Sequence, residues 1–142
     1  MKKDVMIVTG AGQISMAIAR RCGFGKKIVL GDRNMDNCRA IAKIMTDAGY
    51  DVEPFEMDLS SRESIKAMIA KALEYGEIKY LVNGAGVSPS QAPIEAILKV
   101  DLYGTAELLL SDTDAFITGS TFLADGGATA SYYYGPLRPE ED

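Results

Sequence analysis

The sequence contains no histidine among its 142 residues. This absence removes the commonest general base, the usual zinc ligand and the Ser-His-Asp arrangement together. Acid–base chemistry is therefore left to Tyr, Lys, Asp, Glu or Cys. The sequence also has no Gly-Lys-Ser/Thr motif and no two-metal clustering of acidic residues, which argues against nucleotide hydrolysis. We expect no metal site.

Cysteines, basic runs and long apolar runs are scarce. Cys22 and Cys38 lie in separate predicted helices without C-x-x-C spacing, and we interpret them as small core residues of a cytoplasmic protein. The net charge is −5 and no basic run occurs, so nucleic acid is not an expected partner. No apolar stretch approaches the ~20 residues that span a bilayer, and no signal-peptide architecture is present. A membrane is therefore not an expected partner either.

Short apolar runs alternate with helical patterns along the chain. Asn34 is expected to cap the second helix, an S-x-x-E capping box begins the third at Ser60, and Pro93 opens a helix from Ile94 to about Leu110. Such alternation predicts an α/β fold, a Rossmann-like doubly wound parallel sheet of about five strands in the order 3-2-1-4 plus a last strand. The predicted strands are 5–8, 27–30, 52–57, 80–83 and 121–124. We expect one domain over 1–131, followed by a C-terminal tail over 132–142.

The first apolar run leads directly into the turn T-G-A-G-Q-I-S at 9–15. Gly10 allows unusual backbone angles, and Gly12 lets a pyrophosphate approach main-chain N–H groups at a helix N-terminus. The third position normally demands glycine, so we expect Ser15 to push the helix slightly outward and to weaken phosphate binding without abolishing it. The alternative is a glycine-rich turn with only a structural role. The residues of the predicted dinucleotide-binding loop are Gly10, Gly12, Gln13 and Ile14.

Asp32 follows the second strand, twenty residues after Gly12. At this distance a carboxylate accepts hydrogen bonds from the adenosine ribose hydroxyls. It repels a 2′-phosphate, which favours NAD over NADP. Arg33 beside it is able to accept that phosphate instead, so the preference is moderate.

Five segments, spread over nearly the whole chain, carry a family resemblance. They are T-G-A-G-Q-I at 9–14, G-D at 31–32, M-D-L at 57–59, N-G-A-G at 83–86 and F-I-T-G-S-T-F-L-A-D-G-G at 116–127. In this order they resemble the short-chain dehydrogenase/reductase family. The resemblance implies NAD(P)-dependent hydride transfer between the cofactor and an alcohol or ketone.

The resemblance also assigns further cofactor residues. It implies that Asp58 and Leu59 meet the adenine, although a polar residue before a capping box is the alternative interpretation of Asp58. It implies that the N-G-A-G segment supports the cofactor-side loop. The residues of that segment are Asn83, Gly84, Ala85 and Gly86.

Catalytic residues of the family are harder to locate. The family uses a Ser, a Tyr-x-x-x-Lys pair and an Asn on the preceding helix. The Tyr transfers the hydroxyl proton, and the Lys lowers the pKa of the Tyr. The Tyr-x-x-x-Lys of this chain, from Tyr75 to Lys79, straddles a predicted helix end and strand start, so we interpret it as structural. The family's Asn position is Asp101 here, a weak catalytic candidate that is otherwise a surface carboxylate.

The family's fifth and sixth strands and its catalytic helix have no counterpart between Thr105 and Ser111. Either this segment is deleted or the sequence is part of a longer enzyme; we expect a deletion, because buried strands are the most stable parts of a domain. The chain then serves only as a dinucleotide-binding domain. The alternative function is a non-catalytic module that forms homo-oligomers through the helix at 94–110 or through Tyr132-Tyr133-Tyr134.

Overall fold

The computed structural model describes residues 3–88 and 90–110. In this part of the chain, four strands and several helices alternate, as the sequence pattern predicts. In chain order the elements are β1 (Lys3–Thr9), α1 (Gln13–Cys22), β2 (Lys27–Asp32), α2 (Met35–Asp47), β3 (Asp51–Glu56), α3 (Arg62–Tyr75), β4 (Gly76–Asn83), α4 (Ile94–Ile97), a π-helix (Leu98–Gly104) and α5 (Thr105–Leu110).

The four strands form one parallel sheet in the order β3-β2-β1-β4. This confirms the predicted α/β, Rossmann-like sheet and its 3-2-1-4 order. Pro54 lies in β3 at the edge of the sheet, where a missing N–H costs no ladder hydrogen bond on the outer side. The predicted last strand at 121–124, the boundary at 131 and the tail at 132–142 lie outside the described residues.

Side chains of the central strands alternate between two hydrophobic clusters, one on each face of the sheet. Val5 and Ile7 of β1 pack on one face, against α3 and α5. Met6 and Val8 pack on the other face, against α1 and α2. Burial on both faces explains why β1 and β2 are continuous apolar runs in the sequence. Their parallel pairing brings their carboxyl ends to one edge of the sheet.

The bounds of β1, β2 and β3 lie within two residues of the predicted ranges, and the starts of α3 and β4 differ from the prediction as well. The side chain that caps α3 is Ser61, which accepts a hydrogen bond from the N–H of Ser64, whereas Ser60 bonds to Asp58. Strand β4 begins at Gly76 and not at Tyr80, because Gly76 to Ile78 already pair with the start of β1; in this part Ile78 is buried between two exposed charged residues. The first half of β4 mixes charged and apolar residues, so the sequence pattern did not predict it as part of the strand.

The helix expected over 94–110 is present, but its middle is a π-helix. Gly104 ends this π-helix and packs against the carbonyl oxygen of Leu59, where a Cβ would overlap it. A π-turn is common near functional sites and adjusts how a helix meets its neighbours. Within the described ranges, no helix is both long and apolar enough to cross a membrane.

Candidate functional site

A cleft of about 330 Å³ opens at the carboxyl edge of the sheet, where β1, β2 and β4 end. Ligands of open α/β sheets bind at this edge. Nine of the residues predicted to bind the cofactor line the cleft, so segments far apart in sequence meet there. They are Gly10, Gly12, Asp32, Arg33, Asp58, Leu59, Gly84, Ala85 and Gly86.

Gly10 forms the turn that begins the cleft. Its φ is +78°, in the left-handed region that favours glycine, and a Cβ there would lie 2.8 Å from Cα of Ala85. Gly12 behaves differently, because a Cβ there meets no atom within 4 Å. The open space beside Gly12 is the surface that a ligand can approach.

The N-terminus of α1 faces this turn without a side-chain cap. Gly12 is its N-cap residue and has no side chain to accept a hydrogen bond, and no acidic residue lies in the first turn. The N–H groups of the first turn have no intrahelical partners, which leaves them available to an anion. Gln13 and Ile14 belong to this turn but do not line the cleft; the Ile14 side chain is 80% exposed. Only their main chain is therefore suited to the role the sequence predicts.

Thr9 joins the ends of β1 and β4. Its hydroxyl is fully buried, donates to Oδ1 of Asn83 at 2.8 Å, and accepts the N–H groups of Gly84 and Ala85 at 3.2 and 3.3 Å. Asn83 in turn donates from Nδ2 to the hydroxyl of Thr105 at 3.1 Å. Asn83 therefore supports the loop after β4 and does not line the cleft itself.

Asp32 links the glycine turn to the turn that precedes α2. Its Oδ2 accepts the N–H of Ala11 at 2.7 Å, and its Oδ1 accepts the N–H of Asn34 at 2.7 Å. Each carboxylate oxygen keeps a second lone pair for a ligand. The sequence placed Asp32 at this edge correctly but gave no sign of these bonds to the backbone.

Asp58 and Arg33 also line the cleft. The hydroxyl and the N–H of Ser60 both donate to Oδ1 of Asp58, and these bonds lower the pKa of Asp58, with a smaller contribution from the nearby Arg33. Asp58 is therefore held as a carboxylate. Leu59 is 3% exposed and offers the cleft an apolar surface.

Asp101 lies on the π-helix, beside the loop that follows β4. Its Oδ1 accepts the N–H of Val87 at 3.0 Å, and the same oxygen would lie 3.3 Å from a Cβ on Gly86. The contact that the structure gives Asp101 is thus to the loop backbone.

Tyr75 and Lys79 lie far from the cleft. Tyr75 ends α3, and Lys79 lies in β4, where its ammonium pairs with Asp4 of β1 at 3.0 Å. This is the amino-terminal edge of the sheet, as the sequence-based interpretation expected. The pair does not serve chemistry in the cleft.

Several lining residues were not predicted from the sequence. Two of them lie inside the T-G-A-G-Q-I and M-D-L motifs, and the other three lie one to four residues from a predicted site residue. They are Ala11, Asn37, Met57, Val87 and Val100. Among the described residues, no group of three or more Cys, Asp or Glu side chains is placed to hold a metal ion.

Comparison with known proteins identifies the family. A family model described as short chain dehydrogenase matches residues 4–119. The short-chain dehydrogenase/reductase bsc3 of Alternaria brassicicola is 35% identical over 105 residues, 74% of this chain and 38% of that protein. The chain therefore spans well under two thirds of this curated relative.

Solved structures share the fold. A metagenomic short-chain oxidoreductase in complex with NADP is 34% identical, with a TM-score of 0.66, and is matched over 75% of this chain and 53% of its own. A short chain dehydrogenase/reductase from Burkholderia phymatum in complex with NAD has a TM-score of 0.67 over 76% of this chain and 42% of its own; at 24% identity it shows the fold alone. With the family match over most of its length, the chain belongs to the short-chain dehydrogenase/reductase family of oxidoreductases.

Proposed function

We propose that the cleft binds a nicotinamide dinucleotide, NAD in preference to NADP. One observation carries the proposal: the uncapped N-terminus of α1, the carboxylate of Asp32 and the loop after β4 surround a single cleft. A diphosphate requires N–H donors, and a ribose requires a carboxylate acceptor at a neighbouring position. The described residues supply both.

Each part of the ligand has a matching surface. The diphosphate lies against the open space beside Gly12 and the first turn of α1, and the ribose hydroxyls donate to Asp32. Leu59 and Val100 would offer the adenine an apolar surface, with Asp58 in the same cleft. Asp32 repels a 2′-phosphate, which supports the preference for NAD, and Arg33 in the same cleft limits that preference.

We infer further that this chain acts as the dinucleotide-binding domain of an oxidoreductase that transfers hydride between NAD and an alcohol or ketone. The cofactor supplies the hydride chemistry when bound. Within residues 3–88 and 90–110, the Tyr-x-x-x-Lys sequence lies at the opposite sheet edge, so proton transfer to the substrate requires residues other than this pair. The free thiols of Cys22 and Cys38 suit a cytoplasmic location, which we propose as well.

Isothermal titration of the full chain with NADH and NADPH tests the binding proposal. Gly12→Val adds side-chain atoms where the free protein has open space, so the fold is kept while the diphosphate surface is filled. We expect this variant to lose at least about tenfold in NADH affinity, equivalent to the hydrogen bonds of a blocked diphosphate. Ala17→Val also introduces a valine, by adding two methyl groups at an exposed position of α1 outside the cleft, and serves as the control. No heat of binding for the wild-type chain at millimolar NADH would overturn the proposal.

A second candidate function, a self-associating module, is favoured by one surface. Helix α4 and the π-helix that follows it expose large apolar side chains, and a partner subunit would remove them from water. They are Ile94 (61% exposed), Leu98 (40%), Leu102 (46%) and Tyr103 (65%).

Light scattering across a concentration series tests this candidate. We expect a homo-oligomer that Leu98→Glu converts to a monomer, because a buried unpaired carboxylate opposes association. Leu73→Glu, at an exposed apolar position of α3, is the matched control and leaves the mass unchanged. A wild-type monomer at all concentrations contradicts self-association but leaves the binding proposal intact.

A further inference from the structure

Ala11, at the base of the glycine turn, is held on both sides of its Cα. Its N–H donates to Oδ2 of Asp32 at 2.7 Å, and its carbonyl oxygen accepts from Nδ2 of Asn37 at 3.3 Å. Ala11 is 7% exposed, so little solvent competes for these two bonds. The two peptide units that flank Ala11 therefore each have one fixed hydrogen bond.

Asn37 is itself fixed in place. It is the third residue of α2, and its N–H donates to the capping side chain of Asn34 at 3.1 Å. The Asn34 N–H in turn donates to Asp32. The side chain of Asn37 thus reaches the glycine turn from a short, hydrogen-bonded helix start, and it also lines the cleft.

The bond to the Ala11 carbonyl determines where the next N–H points. In a trans peptide the C=O and the N–H of the following residue point in opposite directions. Because Asn37 holds the Ala11 oxygen on the α2 side, the N–H of Gly12 is turned away from α2. Gly12 is the lining residue beside which the cleft is open.

We propose that Asn37 is a positioning residue, which orients the Ala11–Gly12 peptide so that the Gly12 N–H donates to the diphosphate of a bound nucleotide. This inference rests on the proposed binding of NAD. In this role Asn37 affects phosphate binding only through the Ala11–Gly12 peptide that it orients. A direct bond from Asn37 to the ribose is the competing interpretation.

Binding of ADP and of adenosine separates the two interpretations. Asn37→Leu keeps a side chain of similar size and removes the donor, and Asn37→Ala removes both. Because one hydrogen bond is lost, we expect both variants to bind ADP about fivefold more weakly than the wild type. Adenosine has no phosphate, so we expect the variants to bind it with an affinity within about twofold of that of the wild type. Thr46→Ala, at an exposed position of the same helix, is the control.

The outcomes are distinguishable. Equal losses for ADP and adenosine would show a direct ribose contact and would overturn the positioning role. ADP affinity within about twofold of the wild type in both variants would overturn it as well. If the wild-type chain binds NADH and the variants give either of these two results, only this inference fails. If the wild-type chain binds neither NADH nor ADP, the proposed function fails and this inference fails with it.

Discussion

The side chain of Ser15 occupies the space that Gly84 leaves free. Ser15 is 2% exposed, its hydroxyl donates to the Thr9 carbonyl oxygen at 3.5 Å, and a Cβ on Gly84 would overlap that hydroxyl. Close packing of the first helix on the sheet usually needs glycine on the helix. Here the glycine lies on the loop after β4, which is why a serine fits at this crossing.

We therefore predict that Gly84→Ala destabilises the fold by about 1–3 kcal/mol through overpacking. Ser15→Gly alone should lower the free energy of unfolding by about 1 kcal/mol, because glycine is unfavourable within a helix. The double variant should be more stable than the sum of the two single effects predicts, because the overlap is removed. Part of the loss remains, since the added Cβ still lies 3.1 Å from the Thr9 oxygen. Urea denaturation of all four proteins measures the coupling, and strict additivity would contradict this packing relationship.

The fold was largely predictable because its signals are local. Apolar runs such as Val5 to Val8 mark strands that are buried on both faces, and right-handed crossovers then fix the sheet order. The cleft followed from the same reasoning, since Gly10 and Asp32 each come directly at a strand end. Parallel strands bring such ends to one edge.

The remaining features depend on contacts between distant segments. Asn37 reaches Ala11 across 26 positions, and nothing in the sequence near Asn37 marks it as a donor to that loop. The π-helix was also missed, because the 94–110 segment has an ordinary helical pattern. Its irregularity accompanies the close approach of Gly104 to Leu59, a residue 45 positions earlier. Periodicity reports burial, not the hydrogen-bond spacing within a helix.

The Asp101 carboxylate gives a prediction about the loop after β4. Because its Oδ1 accepts the Val87 N–H, Asp101→Ala removes that bond, whereas Asp101→Asn keeps an oxygen acceptor at the same place. We expect faster hydrogen exchange of the Val87 amide in the Ala variant, by about fivefold for a bond of about 1 kcal/mol. The Asn variant should exchange at nearly the wild-type rate. Equal exchange in all three proteins would show that Asp101 does not hold the loop.

The charge of Asp32 leads to a prediction about nucleotide choice. Asp32→Asn keeps an oxygen acceptor for one of the two backbone N–H groups, loses the bond to the other, and removes the negative charge that opposes a 2′-phosphate. We expect weaker NADH binding and a ratio of NADPH to NADH affinity that rises by about tenfold, corresponding to about 1.4 kcal/mol. Fluorescence titration with both reduced nucleotides measures this ratio. Arg33→Ala should move the ratio in the opposite direction, and an unchanged ratio in Asp32→Asn would rule out the carboxylate as the discriminating group.

The amino-terminal edge of the sheet gives a pH-dependent prediction. The Asp51 carboxylate bonds to the ammonium groups of Lys27 and Lys3, each at 2.8 Å, and these bonds lower the pKa of Asp51. A lowered pKa in the folded state means that the carboxylate stabilises the fold above its unfolded pKa of about 3.9. This stabilisation is lost as the pH falls through the lower pKa of the folded state.

Asp51→Asn should therefore reduce the free energy of unfolding near neutral pH and have no effect in acid. We expect a loss below about 1 kcal/mol at about pH 7, because the Asp51 side chain is 41% exposed and solvent screens the pair. The difference between wild type and variant should shrink below about pH 4 and vanish at lower pH. Urea denaturation over this pH range checks the result, with Asp47→Asn in the exposed Lys43–Asp47 pair as the comparison. A difference that persists or grows in acid would mean that Asp51 stabilises the sheet edge by something other than its charge.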